Sequence, residues 1–148
     1  RERVFAMSSI TKEERDGLKE AVLNGLVDCI SSHHQPHEYD SKVCEFEYAK
    51  PGMIGLETCY GAMGAVFGHQ LSAEKWVELI GINPRKLLGM NIPVIQEGEA
   101  ANVTIFNPNT TYVFTEDFIK SKSKNSAFLL QTLKGKVYGI YNNGKLEL

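Results

Sequence analysis

Three histidines within five residues, His33, His34 and His37, follow a short apolar run made of Leu26, Val27, Cys29 and Ile30. Imidazoles at this density suit three uses: ligating a metal, binding a polar substrate, or sitting idle on a solvated loop. Zinc accepts His, Cys and carboxylate ligands, and Cys29 and Cys44 lie nearby in sequence. One short loop rarely supplies a whole zinc site, however, so no metal ligand is assigned within the chain. Glu45, Glu47 and Glu57 are the neighbouring carboxylates with the chemistry for proton transfer. Glu45 and Glu47 read as solvated. Cys29 reads as a small core residue on a buried strand, since no cationic neighbour in sequence would lower its thiol pKa.

The elements that must hold this loop can be read from pattern. Residues 4–8 form a short strand candidate. Thr11 with Glu14 three residues on is a capping box. Leu18, Ala21, Val22 and Leu26 then recur at helical spacing as one buried face, and Gly25 is a C-terminal stop. A strand is expected over 27–31, followed by a long polar loop over 33–53, a length that in compact domains tends to accompany function. Small and apolar residues from Gly55 to Phe67 suit a buried helix, against which Gly55, Gly61 and Gly64 count. Ser72 opens another helix, with Trp76 on its core face. Asn83-Pro84 should interrupt it, because proline removes a donor and pushes Asn83 out of the helical region. A short helix from Arg85 to Leu88 ends at Gly89.

Beyond Gly89 the pattern turns to strands. Two β-branched and aromatic runs, 102–106 and 110–114, flank Asn107-Pro-Asn. Residues 135–141 and 145–148 read as a hairpin about Asn142-Asn-Gly144, since a type I′ turn needs positive φ at both central residues. The expectation is α/β structure over 1–90 and a small β unit over 91–148. Lys120, Lys122, Lys124, Lys134 and Lys136 form a modest basic patch, by default a solvated face.

The chain has 148 residues, 43% hydrophobic and 23% charged, with a net charge of −2. That length can bury a real core, and the charge gives no reason to expect nucleic acid or an anionic membrane as partner. Three cysteines without a C-x-x-C pair point to a reducing compartment rather than a disulfide framework. Two glycosylation sequons, at Asn102 and Asn109, carry no weight without a secretory context. The charged amino end has no signal-peptide pattern, and the reading is cytoplasmic. Opening at Arg1 on an apolar strand, the chain reads as a portion of something longer.

Several segments, in order, resemble the dihydroorotases, cyclic-amide hydrolases of the amidohydrolase superfamily. His33-His-Gln-Pro-His37 is similar to the family's D-H-A-P-H, and Phe46-Glu-Tyr-Ala-Lys-Pro-Gly-Met-Ile-Gly-Leu-Glu-Thr58 to the loop that follows it. The match at Glu57 implies a role in capping or orienting the helix that follows. Asn83-Pro-Arg-Lys-Leu-Leu-Gly89 resembles N-P-A-x-x-x-G, and Glu97 to Phe106 resembles G-A-D-A-D-L-V-L-F. Ser121-Lys-Ser-Lys-Asn125 and Leu133-Lys-Gly-Lys-Val137 resemble S-K-S-x-N and L-x-G-x-V. The resemblance covers nearly the whole chain and implies the C-terminal part of a (β/α)8 amidohydrolase barrel plus strands of a small β-sandwich domain.

It also implies a chemistry: reversible zinc-dependent hydrolysis of dihydroorotate to carbamoyl aspartate, in pyrimidine biosynthesis. His37 matches the histidine that binds the substrate carboxylate, and Pro51 and Gly52 match the loop whose backbone touches the ring. His33 stands where the family has its catalytic aspartate. A carboxylate can accept a proton and ligate a cation, whereas a protonated imidazole carries the opposite charge. Upstream, Arg3-Val-Phe-Ala-Met-Ser-Ser9 is similar to K-V-N-P-P-L-R, with Phe5 for the substrate-binding asparagine and Ser9 for the arginine. The family's metal ligands lie on earlier strands without counterparts here, so zinc is expected only with the rest of the barrel. Three functional readings stand: a weak or inactive copy with a structural role, an active zinc-dependent hydrolase whose ligands lie upstream, or a free-standing zinc-binding module. The rest of the barrel, in the same or another chain, is the expected partner. Aspartate carbamoyltransferase or a homo-oligomer is the further partner implied.

Overall fold

Thr11 starts the first helix as the sequence predicts. Its Oγ1 accepts the Glu14 N–H at 3.2 Å while Glu14 Oε2 accepts the Thr11 N–H at 2.7 Å, which closes the capping box of α1, Lys12–Leu23. The structure, a computed structural model, describes residues 11–148. The strand expected over 4–8, and with it Phe5 and Ser9, lies outside the described residues. Of the α1 apolar face, Val22 is buried, but Leu18 is 55% and Leu26 77% exposed. An amphipathic stripe needs a partner surface, and the described residues cover only part of this one.

Residues 27–31 run without strand pairing, contrary to expectation. A ladder requires a neighbouring strand, and no described strand pairs with this segment. The Ile30 N–H instead donates to the Leu79 carbonyl at 3.0 Å, and Asn83 Nδ2 to the Asp28 carbonyl at 2.8 Å. The polar loop that follows contains two short 3-10 turns, Tyr39–Ser41 and Phe46–Tyr48.

Helix α2, Cys59–Phe67, begins later than the run from Gly55 suggested. Its glycines, which counted against a helix in the sequence, are where its backbone closes on the sheet. A Cβ on Gly64 would collide with the Lys134 carbonyl, whose carbon would lie 2.9 Å away, and one on Gly61 would come within 3.1 Å of Leu133 Cβ. Ser72 caps α3, Ala73–Val77, by accepting the Lys75 N–H. The chain then passes through a π-turn, Glu78–Ile82, into α4, Asn83–Leu87. Asn83 is therefore helical, with φ −65° and ψ −42°, rather than displaced by Pro84. The wider π-turn changes the bonding pattern just ahead of Pro84, which sits in the first turn of α4, where its missing N–H costs little.

Three antiparallel strands finish the chain in the order β1, Val103–Val113; β2, Thr132–Asn142; β3, Lys145–Glu147. The two runs flanking Asn107-Pro-Asn belong to a single strand, whose pairing with β2 shifts register between Asn107 and Thr111. A bulge tolerates a proline that a regular ladder would not. The predicted hairpin is present: Asn142 pairs with Lys145, and Asn143 and Gly144 both have positive φ, +50° and +75°.

Among the described residues, two apolar clusters form the core. Val22, Phe67, Leu71, Trp76 and Leu79 make one, with Trp76 edge-on to Phe67 at 5.6 Å between ring centroids. Ile54, Phe114, Ile119 and Leu133 make the other, with Ala62 of α2 packed against it. Helix α2 thus joins the helical part to the sheet. In the full-length protein, Gly64→Ala should destabilise by about 1–3 kcal/mol by forcing α2 off β2. Gly17→Ala, within α1 and with open space around it, should stabilise by about 0.5–1 kcal/mol. Urea-denaturation midpoints check both signs.

Candidate functional site

The loop from Ser31 to Leu56 doubles back on itself, so that Pro51, Gly52 and Met53 lie beside Gln35 and His37. The Gln35 N–H donates to the Met53 carbonyl at 2.9 Å, the Lys50 N–H to the Ser41 carbonyl at 3.1 Å, and His37 Nε2–H to the Pro51 carbonyl at 2.8 Å. Gly52 is buried with φ +117°. Any side chain there would be strained and would press on Gln35 Cβ at 2.8 Å and His37 Nε2 at 3.2 Å.

Lys42 lies beneath this loop at 2% exposure. Its Nζ donates to the Lys50 carbonyl and, at 2.6 Å, to the Gly52 carbonyl. No carboxylate pairs with it among the described residues, so backbone dipoles alone replace its water. Burial lowers its pKa from the ordinary 10.5, opposed in part by Cys44. The second donor to the Gly52 carbonyl is Asn125 Nδ2 at 2.9 Å, and the Asn125 carbonyl accepts the Ile54 N–H at 3.0 Å. Glu57 Oε1 accepts the N–H groups of Lys120 and Ser121 at 3.1 and 3.0 Å. The segment from Lys120 to Asn125 is thereby strapped to the loop from both ends. Glu57 Oε2 and Asn125 Oδ1 are buried and unpaired among the described residues.

The three histidines do not converge. His33 is exposed with φ +48°, and its N–H donates to Ser31 Oγ at 3.2 Å. His34 Nδ1 accepts the N–H groups of Gly55 and Leu56 at 3.1 and 3.3 Å, which places any proton of the neutral ring on Nε2. His37 is turned to Pro51. Among the described residues no three His, Cys, Asp or Glu side chains are grouped to hold a metal. Cys29, expected in a buried strand, is exposed, because residues 27–31 have one flank uncovered. Burial pushes up the pKa of the Cys59 thiol, so it is a poor nucleophile.

Glu57 does not cap α2, as its position had suggested; its carboxylate reaches across to Lys120 and Ser121. Glu45 and Glu47 are exposed, as expected. The lysine patch is partly engaged. Lys124 Nζ donates to the Ile119 carbonyl, Lys134 Nζ to His69 Nε2, and Lys136 lies over the Phe118 and Tyr138 rings. Sequence reasoning passed over Lys42 and gave Asn125 no task. Asn125 stands in the S-K-S-x-N segment and so had a signal. Lys42 is one lysine among loop residues and had none.

The fold is shared with part of larger enzymes. A D-hydantoinase (dihydropyrimidinase) from Thermus sp. matches with a TM-score of 0.80 at 16% identity. An L-hydantoinase (dihydropyrimidinase) from Arthrobacter aurescens matches with 0.79 at 23%. In both, 97% of this chain corresponds to 33% of the other. The architecture is thus an α/β segment with the fold of one third of a hydantoinase. Sequence carries the assignment further. Dihydroorotases of Caldicellulosiruptor saccharolyticus, Chlorobaculum tepidum and Aquifex aeolicus are 39%, 36% and 34% identical over 138, 136 and 137 residues. The chain is a homologue of the dihydroorotases, spanning about a third of the length of these curated relatives. No family model matches it.

A lysine whose folded pKa is depressed leaves the unfolded chain holding more protons between the folded value and 10.5. Its contribution to stability therefore rises with pH across that window. The stability difference between the full-length protein and its Lys42→Met variant should shift in favour of the unsubstituted protein from about pH 8 to about pH 10. Urea denaturation of both at each pH measures it. Tyr60, Tyr112 and Cys59, whose pKa values burial raises, pull the other way and cancel in the comparison.

Proposed function

We propose that this chain is the C-terminal part of a dihydroorotase-like amidohydrolase whose capacity for proton transfer is weak or absent. Residues 1–90 would supply the last strands and helices of a (β/α)8 barrel, and residues 91–148 part of a small β-sandwich domain. The uncovered flank of residues 27–31 and the exposed Leu18 and Leu26 fit such a segment, since both need a neighbour to cover them. The unpaired cysteines fit a reducing, cytoplasmic setting, and no helix among the described residues is long and apolar enough to cross a membrane.

The observation that carries the reading is the split between His33 and the rest of the loop. Pro51 and Gly52 are held from both sides in an ordered loop with His37 at its edge, which supports a retained surface for a cyclic amide such as dihydroorotate. His33, in the catalytic aspartate's position, projects from an exposed residue and brings no carboxylate. Zinc does not fit the described residues by themselves, because none of their ligand-type side chains cluster in threes. Any zinc would be held by residues elsewhere in the barrel. A lapsed enzyme of this kind could act as a structural partner, in a homo-oligomer or with aspartate carbamoyltransferase. The ordered loop also favours a second reading: an active cyclic amidohydrolase that tolerates His33, with its metal ligands upstream.

His33→Asp in the full-length protein separates the two. The backbone allows it, because φ +48° suits aspartate about as well as histidine. Hydrolysis of dihydroorotate should rise by about 100-fold or more if a general acid/base is what is missing. Robust hydrolysis before the substitution overturns the lapsed-enzyme reading. Equal, negligible rates before and after overturn the idea that His33 alone is at fault.

A further inference from the structure

The Pro51–Gly52 and Gly52–Met53 peptides are gripped by their carbonyls. His37 holds the first; Lys42 and Asn125 together fill the acceptor sites of the second. In a trans peptide the N–H points opposite to its carbonyl, and the N–H groups of Gly52 and Met53 have no partner among the described residues. These two peptides therefore keep two successive backbone donors free among the described residues, while the grips on them come from the carbonyl side. We propose that Lys42 is a positioning residue: its buried ammonium fixes the Gly52–Met53 peptide so that these donors can meet a carbonyl or carboxylate oxygen of the substrate. This rests on the reading of the loop as the surface for a cyclic amide.

The choice of residue follows from the chemistry. The Gly52 backbone, at φ +117° and without a Cβ, has more conformational freedom than any other residue would give it. It needs an external restraint to hold one peptide orientation. Asn125 supplies a neutral donor from the far segment; Lys42 supplies a charged one, reaching the same oxygen and the Lys50 carbonyl two residues earlier. Hydrogen bonds from a charged donor are the stronger kind. An ammonium buried without a carboxylate partner among the described residues is a costly way to fill space, and its two loop carbonyls are the contacts that offset the cost.

The test uses the full-length protein, unsubstituted and as Lys42→Met, with dihydroorotate as the probe. Calorimetry measures affinity, and hydrogen exchange follows the amides of residues 50–55 in the free protein. Val22→Ala, which trims the other core cluster, controls for loss of stability alone. Lys42→Met should weaken dihydroorotate by about 10- to 100-fold and speed exchange at residues 50–55 but not in α2, while Val22→Ala leaves the affinity unchanged. An affinity unchanged in Lys42→Met, or equally weakened in Val22→Ala, overturns the proposal. If Lys42→Met fails to fold, Asn125→Ala tests the same carbonyl from its other donor, with the same expectation. If the unsubstituted protein binds no dihydroorotate, the cyclic-amide reading fails by itself. Exchange then decides whether Lys42 holds the peptide: selective loss of protection at 50–55 supports that, and unchanged protection overturns it.

Discussion

The Gly52 carbonyl is the point on which the arrangement of the loop depends. It accepts from Lys42, ten residues earlier in the chain, and from Asn125, which is distant in sequence. Through these two bonds the loop, Lys42 at the end of the Tyr39–Ser41 turn and the segment leading into β2 are held as one unit. Burying an ammonium whose water is replaced only by loop carbonyls is expensive, so the loop has to stay closed over it. The same closure keeps His37 against Pro51 and lets Ile54 enter the core beside Phe114 and Leu133.

Packing around α2 connects this loop to the sheet. Gly61 and Gly64 let the helix approach β2 until backbone meets backbone, and Thr58 and Ile54, both essentially without exposure, seal the start of the helix. Glu57 then draws the Lys120–Ser121 backbone over the same region. The chemistry-bearing loop is thus supported mostly from the sheet side. Its other side, with exposed His33 and the uncovered flank of 27–31, is bare among the described residues. That asymmetry agrees with a chain that spans only a third of the relatives it matches.

Local signals were legible where their cause was local. The Thr11 capping box, the Ser72 cap, the stops at Gly25 and Gly89, and the Asn143-Gly144 turn each rest on interactions within a few residues, and each is present. Signals failed where a distant partner decided the outcome. Pro84 did not displace Asn83, because the π-turn ahead of it absorbed the change in bonding. Glycines that looked like helix breakers proved to be contact points with β2. Residues 27–31, composed like a strand, have no ladder because pairing is a property of two segments. Glu57 was read by its neighbours in sequence, yet its hydrogen bonds lie more than sixty residues away.

By itself, then, the sequence determined the identity of the loop: its order of His, Pro and Gly residues, the imidazole in place of a carboxylate at His33, and the family resemblance that comparison with dihydroorotases bears out. Those are matters of residue type and spacing, which a chain carries whether folded or not. Only the tertiary structure decided that the histidines part company rather than form a cluster, and that Lys42 and Asn125 converge on one carbonyl. The reason is that a buried charge and a shared acceptor exist only once distant segments have excluded water between them.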